Sequence, residues 1–328
     1  MLVGADTGGT FTDLVDDRGR VCKVSSTPDE PAAALETGLR TLGPDRPTRL
    51  AHGTTVATNA LLERTGGRIA LVTTRGFADV IEIARQTRPS LYDIWADRPE
   101  PLVPRELRFE VDERLDAHGH EITVLDERSI PVLPPDVDAV AVCLLHSDLS
   151  PDHERRVAAV LAQRGHDVTC SHDVSPEYRE YERTVTTVVN AYLRPRCRSY
   201  LSRLAELAGE VLVMTSAGGL VPAVEAADVP AALLLSGPAG GVHAAAVVAR
   251  ACGFPDAVSF DMGGTSTDVC LVRSGVPEPA AGRVVAGYPL RLPSLDVHTI
   301  GAGGGSIAAL DPGGALAVGP RSAGAVPG

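Results

Sequence analysis

Two eight-residue stretches hold the side chains best suited to chemistry, and they are nearly the same stretch. Asp6-Thr7-Gly8-Gly9-Thr10-Phe11-Thr12-Asp13 follows the apolar Leu2 to Ala5, and Asp261-Met262-Gly263-Gly264-Thr265-Ser266-Thr267-Asp268 follows Ala257 to Phe260. Each reads as strand, tight turn, strand. Adjacent glycines let the backbone turn and leave no Cβ in the way of a bulky anion, while successive N–H groups and threonine hydroxyls point at phosphate oxygens. The leading aspartates, Asp6 and Asp261, are then placed to hold Mg²⁺ directly or through water. One copy alone reads equally well as an ordinary hairpin. Two copies matching at six of eight positions argue instead for a duplicated half-fold, with a phosphate loop on each side of a cleft that grips one nucleotide.

Three further stretches carry reactive types. In Ala51 to Arg64, His52, Thr54, Thr55 and Asn59 gather at the start of an expected helix, whose free N–H groups attract phosphate or carboxylate. The plainer reading makes Thr54 or Thr55 the helix cap and His52 a satisfied turn residue. Arg85 and Arg88 stand in a loop running to Asp93, suited either to an anion or to surface ion pairs. Asp296 and His298 alternate, so a strand there would put a carboxylate and an imidazole on one face for a metal or a substrate. Gly303, Gly304 and Gly305 follow as a third candidate phosphate or adenosine contact, and Ser236 to Gly241 forms another glycine-rich helix start.

The elements that must position these residues alternate between strand and helix. A meander continues to Val24, and Thr27-Pro28-Asp29-Glu30 opens a helix with Thr27 as N-cap and Pro28 at the first helical position, running to Leu42. Ile69 to Thr73 reads as a strand, Gly76 to Arg85 as a helix, and residues 99–135 as an insertion or edge hairpins. The unbroken apolar run Ala139 to Leu145 marks a strand buried on both faces of a parallel sheet. A helix follows Ser150-Pro151, then a strand from Asp167 to Ser171, a long helix past Leu193, and a strand from Val211 to Met214. This β-α-β pattern gives an α/β fold.

Composition excludes several functions. With 328 residues, 44% of them hydrophobic, the chain has material for about two domains. A net charge of −12 with no basic cluster argues against nucleic acid and anionic membranes as partners. Six cysteines without C-x-x-C spacing fit reduced core thiols rather than zinc or disulfides. Asp6 interrupts any secretory leader, and no apolar run of the ~18 residues that a spanning helix requires is present, so a cytoplasmic protein is expected.

Together these stretches resemble the ATP-dependent hydantoinase A/5-oxoprolinase family, which takes in N-methylhydantoinase A and acetone carboxylase beta-like chains. The resemblance rests on Asp6 to Asp13, His52 to Ala60, Arg85 to Pro89, Glu182 to Thr184, Ser236 to Gly241, Asp261 to Asp268 and Leu295 to Ser306, in that order along nearly the whole chain. It implies an actin-like ATPase (ribonuclease H-like) fold, with ATP and Mg²⁺ between two halves. Residues 1–185 would be the N-terminal domain, and 186–328 the start of a second that is incomplete at its C-terminus. The family continues well past Pro327-Gly328, and Val326 stands where an acidic residue is common. The implied chemistry is phosphorylation of the carbonyl oxygen of a cyclic amide, followed by ring opening with water. By position, Thr7, Gly8, Gly9, Thr10, Asp13, Gly263, Gly264, Thr265, Thr267, Asp268 and Gly303 to Gly305 would hold the nucleotide, and Asp6 and Asp261 its Mg²⁺. His52, Thr54, Thr55, Asn59 and Arg85 would face the lactam, and Asp296 with His298 a second divalent metal. The resemblance also implies a B-type partner subunit and is compatible with a homo-oligomer. Two other readings share the phosphate loops: a small-molecule kinase, and a nucleotide-binding module without turnover.

Overall fold

The computed structural model describes residues 1–27, 30–264, 266–311 and 313–323. Pro28, expected at the first helical position, and Thr265, Val326, Pro327 and Gly328 lie outside them. In chain order the first half opens with the antiparallel meander β1 (Leu2–Thr7), β2 (Phe11–Asp16) and β3 (Val21–Ser25), then α1 (Pro31–Leu42), β4 (Arg49–Thr54), α2 (Val56–Leu62), β5 (Ile69–Thr74) and α3 (Val80–Ile83). Next come β6 (Arg108–Val111), a small hairpin of β7 (Arg114–Leu115) and β8 (Glu121–Thr123), β9 (Ala139–Cys143), α4 (Asp152–Gln163), β10 (Val168–Cys170) and α5 (Ser171–Val174). The long α6 (Glu180–Leu207) leads to β11 (Glu210–Met214), β12 (Leu220–Pro222), α7 (Ala223–Asp228) and α8 (Ser236–Ala251). The second half then runs through β13 (Ala257–Met262), β14 (Thr267–Arg273), β15 (Val276–Pro277), β16 (Pro279–Ala280), β17 (Arg283–Val285), β18 (Tyr288–Leu290), β19 (Ser294–Leu295), β20 (His298–Ile300), β21 (Ser306–Leu310) and β22 (Leu316–Ser322).

Two sheets organise the first half. One has the order β12-β11-β4-β1-β2-β3, with β1, β4 and β11 parallel and the meander antiparallel; the other has the order β10-β9-β5-β6, all parallel. Every residue of β5 and β9 is buried, which is why both read as unbroken apolar or threonine runs rather than alternating ones. Helix α6 lies between the sheets. Its Val185, Val188, Val189, Leu193 and Leu201 enter the main core, which also takes in Leu35, Leu50 and Leu61. The second half has a small sheet of β13, β14 and β15, with β20 paired to β14.

Local expectations needed three corrections. Helix α1 starts at Pro31 with Glu30 at the N-cap, and Thr27 Oγ1 donates to the Glu30 carbonyl instead of capping. The helix expected from Gly76 to Arg85 shrinks to the single turn of α3, because Ala84 and Gln86 take left-handed conformations that a helix cannot continue through. Residues 296 and 297 fall between β19 and β20, so Asp296 and His298 do not share one strand.

Candidate functional site

The repeated stretch folds the same way twice. In β1–β2, Asp6 pairs with Asp13 and Thr7 with Thr12; in β13–β14, Asp261 pairs with Asp268 and Met262 with Thr267. The same turn bond closes both hairpins, Gly8 N–H to the Phe11 carbonyl at 3.0 Å and Gly263 N–H to the Ser266 carbonyl at 2.9 Å. At the first tip, the N–H groups of Gly9 and Thr10 meet no acceptor among the described residues. On the side where a Cβ would stand, Gly9 and Gly264 both face open space. Such a tip is a cradle of free donors with room for a phosphate.

The aspartates make the site acidic. Opposed like charges destabilise an antiparallel pair, and of the first two Asp13 is balanced by Lys23 at 2.7 Å. Asp6 has no such partner among the described residues. Its pKa is raised, first by desolvation and then by the charges of Asp13 and Asp261, which brings the second hairpin's aspartate into its electrostatic reach. Asp268 accepts from the Thr299 hydroxyl at 2.6 Å.

Three other elements close the site. β4 runs parallel to β1 with Gly53 opposite Asp6, so close that a Cβ on Gly53 would lie 2.7 Å from Asp6 Oδ1. Thr55 follows at the N-cap of α2 and donates through both N–H and Oγ1 to the Thr7 carbonyl, and Asn59 Nδ2 reaches Thr55 Oγ1 at 3.4 Å. Thr54 is buried, with its Oγ1 accepting from Val56 N–H. The start of α8 lies between the halves: Ser236 Oγ donates to the Thr54 carbonyl at 3.3 Å, and a Cβ on Gly241 would lie 3.9 Å from Asp261 Oδ2. The third glycine run packs on the second hairpin. Gly304 and Gly305 donate to the carbonyls of Gly263 and Gly264, and Gly303 to Ser306 Oγ, so these amides brace the turn and are not free donors.

Other expected residues fall elsewhere. His52 is on β4, 1% exposed, with Nε2 2.7 Å from the Tyr200 hydroxyl of α6. Burial lowers its pKa to about 4 and pushes Tyr200 up to about 12. A neutral imidazole sealed in the core cannot face a substrate, so His52 supports the strand beneath the site. Arg85 forms a two-armed ion pair with Glu182 at the other end of α6, about 27 Å along the helix axis from Tyr200 at 1.5 Å per residue. Asp296 and His298 are 3.5 Å apart and exposed.

Sequence reasoning missed Gly53, Tyr200 and a buried network around Glu154. Glu154 accepts from Leu144 N–H, Ser171 Oγ and His172 N–H, and bonds His172 Nδ1. With Cys170 it forms a cluster of metal-ligand type, yet both its oxygens are already hydrogen-bonded. An acid within an amphipathic helix gives no sequence signal of such a role.

The family model described as the hydantoinase/oxoprolinase N-terminal region matches residues 2–165, and the hydantoinase/oxoprolinase model matches residues 183–328. The chain belongs to the hydantoinase/oxoprolinase family. This hydantoinase/oxoprolinase chain is 39% identical to caprolactamase subunit alpha of Pseudomonas jessenii over 99% of its own length and 51% of the relative's. It is 34% identical to 5-oxoprolinase 1 of Arabidopsis thaliana, covering 98% of this chain and 29% of that one. Its mixed α/β fold matches the crystal structure of the ATP-dependent caprolactamase from Pseudomonas jessenii with a TM-score of 0.90 at 35% identity, over 100% of this chain and 52% of that one. The nucleotide-free structure of acetone carboxylase matches with a TM-score of 0.79 at 30% identity, over 99% and 51%. The chain spans about half the length of the first of these relatives and less of the oxoprolinase. Among the described residues no helix is long and apolar enough to cross a membrane.

Proposed function

We propose that this chain is the nucleotide-binding part of an enzyme that uses ATP to open a cyclic amide of the hydantoin, oxoproline or lactam type, working with a B-type partner subunit. One observation carries the reading: two Asp-x-Gly-Gly hairpins of the same register and turn bond meet at the start of α8, where Ser236 bonds the Thr54 carbonyl beside the first and Gly241 faces Asp261 of the second. The relatives' ATP-dependent lactam chemistry supports it.

The residues fit the groups required. Free tip amides and open glycine faces suit phosphate, and unneutralised carboxylate oxygens suit Mg²⁺, which Asp6 and Asp261 would hold. The ion, when bound, offsets phosphate charge. An amide resists water because its nitrogen lone pair is delocalised into the carbonyl, and transfer of a phosphoryl group to the carbonyl oxygen removes that resonance. The chain's own work is therefore positioning and charge balance rather than nucleophilic attack. Gly9 and Thr10 orient the phosphates, Gly303 to Gly305 brace the second turn, and Thr54, Thr55 and Asn59 bound the amide side at the head of α2.

Phosphate release by the complete assembly, measured with hydantoins, 5-oxoproline and lactams, tests the proposal. ATP turnover should depend on one of these rings, yield no stable phosphorylated product, and be lost in Asp6→Ala and Asp261→Ala while the fold survives. A stable phosphorylated product, or full turnover in both variants, contradicts it.

A further inference from the structure

A cavity of about 630 Å³ takes no part in the site above. It opens at the N-terminal end of α6, where Arg85 lies, and no phosphate-loop residue lines it. Its volume is that of a small-molecule site. One wall is apolar: Val185, Val188 and Val189 follow one another on a single face of α6, with Tyr288 opposite.

The lining also carries charges of both signs, Arg85, Arg88 and Arg98 against Glu82, Asp97, Glu100 and Glu182. Arg88 and Asp97 line it with no ion pair among the described residues, and Arg98 donates through Nη1 to the Ile83 carbonyl without a carboxylate partner. Arg85 and Glu182 hold each other through two hydrogen bonds. A guanidinium has five N–H donors and a carboxylate about four acceptor positions, so each has capacity left for a ligand. A singly charged molecule leaves the ions of its own sign unmatched. A neutral ring can hydrogen-bond to these ions but brings no charge to balance either sign.

We propose that this cavity binds an amino acid as its zwitterion, with the carboxylate on Arg88 and Arg98, the ammonium on Asp97 and Glu182, and the hydrocarbon segment along the valines. The choice of ligand rests on the ring-opening reading: hydrolysis of a cyclic amide gives a molecule with one carboxylate and one amine joined by a short carbon chain. The cavity is then a product site, and its distance along α6 lets it fill while nucleotide is bound.

Calorimetric titration of the 328-residue chain without ATP tests this. The probes are 6-aminohexanoate and glutamate, each against ε-caprolactam, hexanoate and hexylamine. At least one zwitterion should bind tenfold or more tightly than all three controls, and more weakly as salt rises. Arg98→Gln and Glu182→Gln should each weaken it at least tenfold, and Val188→Trp should abolish it, with melting curves confirming that the variants fold. Absence of saturable binding by both zwitterions, equal binding of caprolactam, or unchanged affinity in both charge variants overturns the proposal. Because nucleotide is left out, a failure here leaves the ring-opening reading standing. Conversely, an assembly that ignores lactams while its chain still binds the zwitterion refutes that reading alone.

Discussion

Replacing Gly53 with alanine should damage the site without damaging the fold. The added Cβ would stand 2.7 Å from Asp6 Oδ1, whereas ordinary contact begins at 3.4 Å, so the carboxylate must move by the difference, 0.7 Å. It can do so, because the obstructing atom is the end of a side chain rather than backbone. Gly53 lies within β4 and has no positive φ, so alanine is tolerated there and slightly reduces the freedom of the unfolded chain, worth ~0.4–1 kcal/mol. A misplacement near 1 Å costs up to ~100-fold in rate, so a shift of this size should lower turnover by about 10- to 100-fold, or ~1.4–2.7 kcal/mol at 1.36 kcal/mol per decade. Steady-state phosphate release by the complete assembly reads the loss, and a thermal melt of the chain alone should shift by no more than a few degrees. Wild-type turnover in Gly53→Ala would refute the idea that the position of the Asp6 carboxylate matters; a collapsed melting temperature would refute the claim that the strand tolerates a methyl group.

The remaining predictions concern pH. Desolvation, Asp13 and Asp261 raise the pKa of Asp6 above its ordinary 3.8, so the native state holds this proton more tightly than the unfolded state and stability falls as pH rises from that value. Asp6→Asn should therefore melt higher than wild type at pH 7 in metal-free buffer, with the advantage fading near pH 4; equal shifts at both pH values would count against a strained carboxylate. His52 has the opposite sign. Its pKa falls from 6.5 to about 4, so its contribution is present above pH 6.5 and is lost on acidification, on the order of 3 kcal/mol in full from 2.5 units at 1.36 kcal/mol each. Denaturant titrations at pH 7.5 and pH 5 should show wild type losing about 2 kcal/mol more than His52→Gln, and parallel losses would mean that the imidazole is not held neutral.

The duplicated hairpins were legible because their chemistry is local. Two glycines, flanking β-branched residues and a leading aspartate settle the turn from within eight residues, and the parallel strands β5 and β9 announce themselves as runs buried on both faces. What was not legible depends on partners distant in sequence. His52 reads equally as a reactive side chain or a satisfied turn residue until Tyr200, on a helix 148 residues later, takes its ring nitrogen in the core. Arg85 reads as suited either to an anion or to an ion pair until Glu182, 97 residues later, is seen bonded to it. The glycines at 303 to 305 suggested a third phosphate loop, but their amides bond carbonyls of the second hairpin, a use that composition cannot distinguish. The expected helix after Gly76 failed for a backbone reason, the left-handed turns at Ala84 and Gln86, where neither residue type gives warning.

The central claim is that the carbonyl oxygen of a cyclic amide takes the phosphoryl group at the cleft between the two hairpins. Its most direct test is to give the complete assembly ATP and a lactam labelled with ¹⁸O at the carbonyl, and to weigh the inorganic phosphate released. The account predicts that the phosphate carries one labelled oxygen per ring opened and that Asp261→Ala releases none. Ring opening with unlabelled phosphate would contradict it.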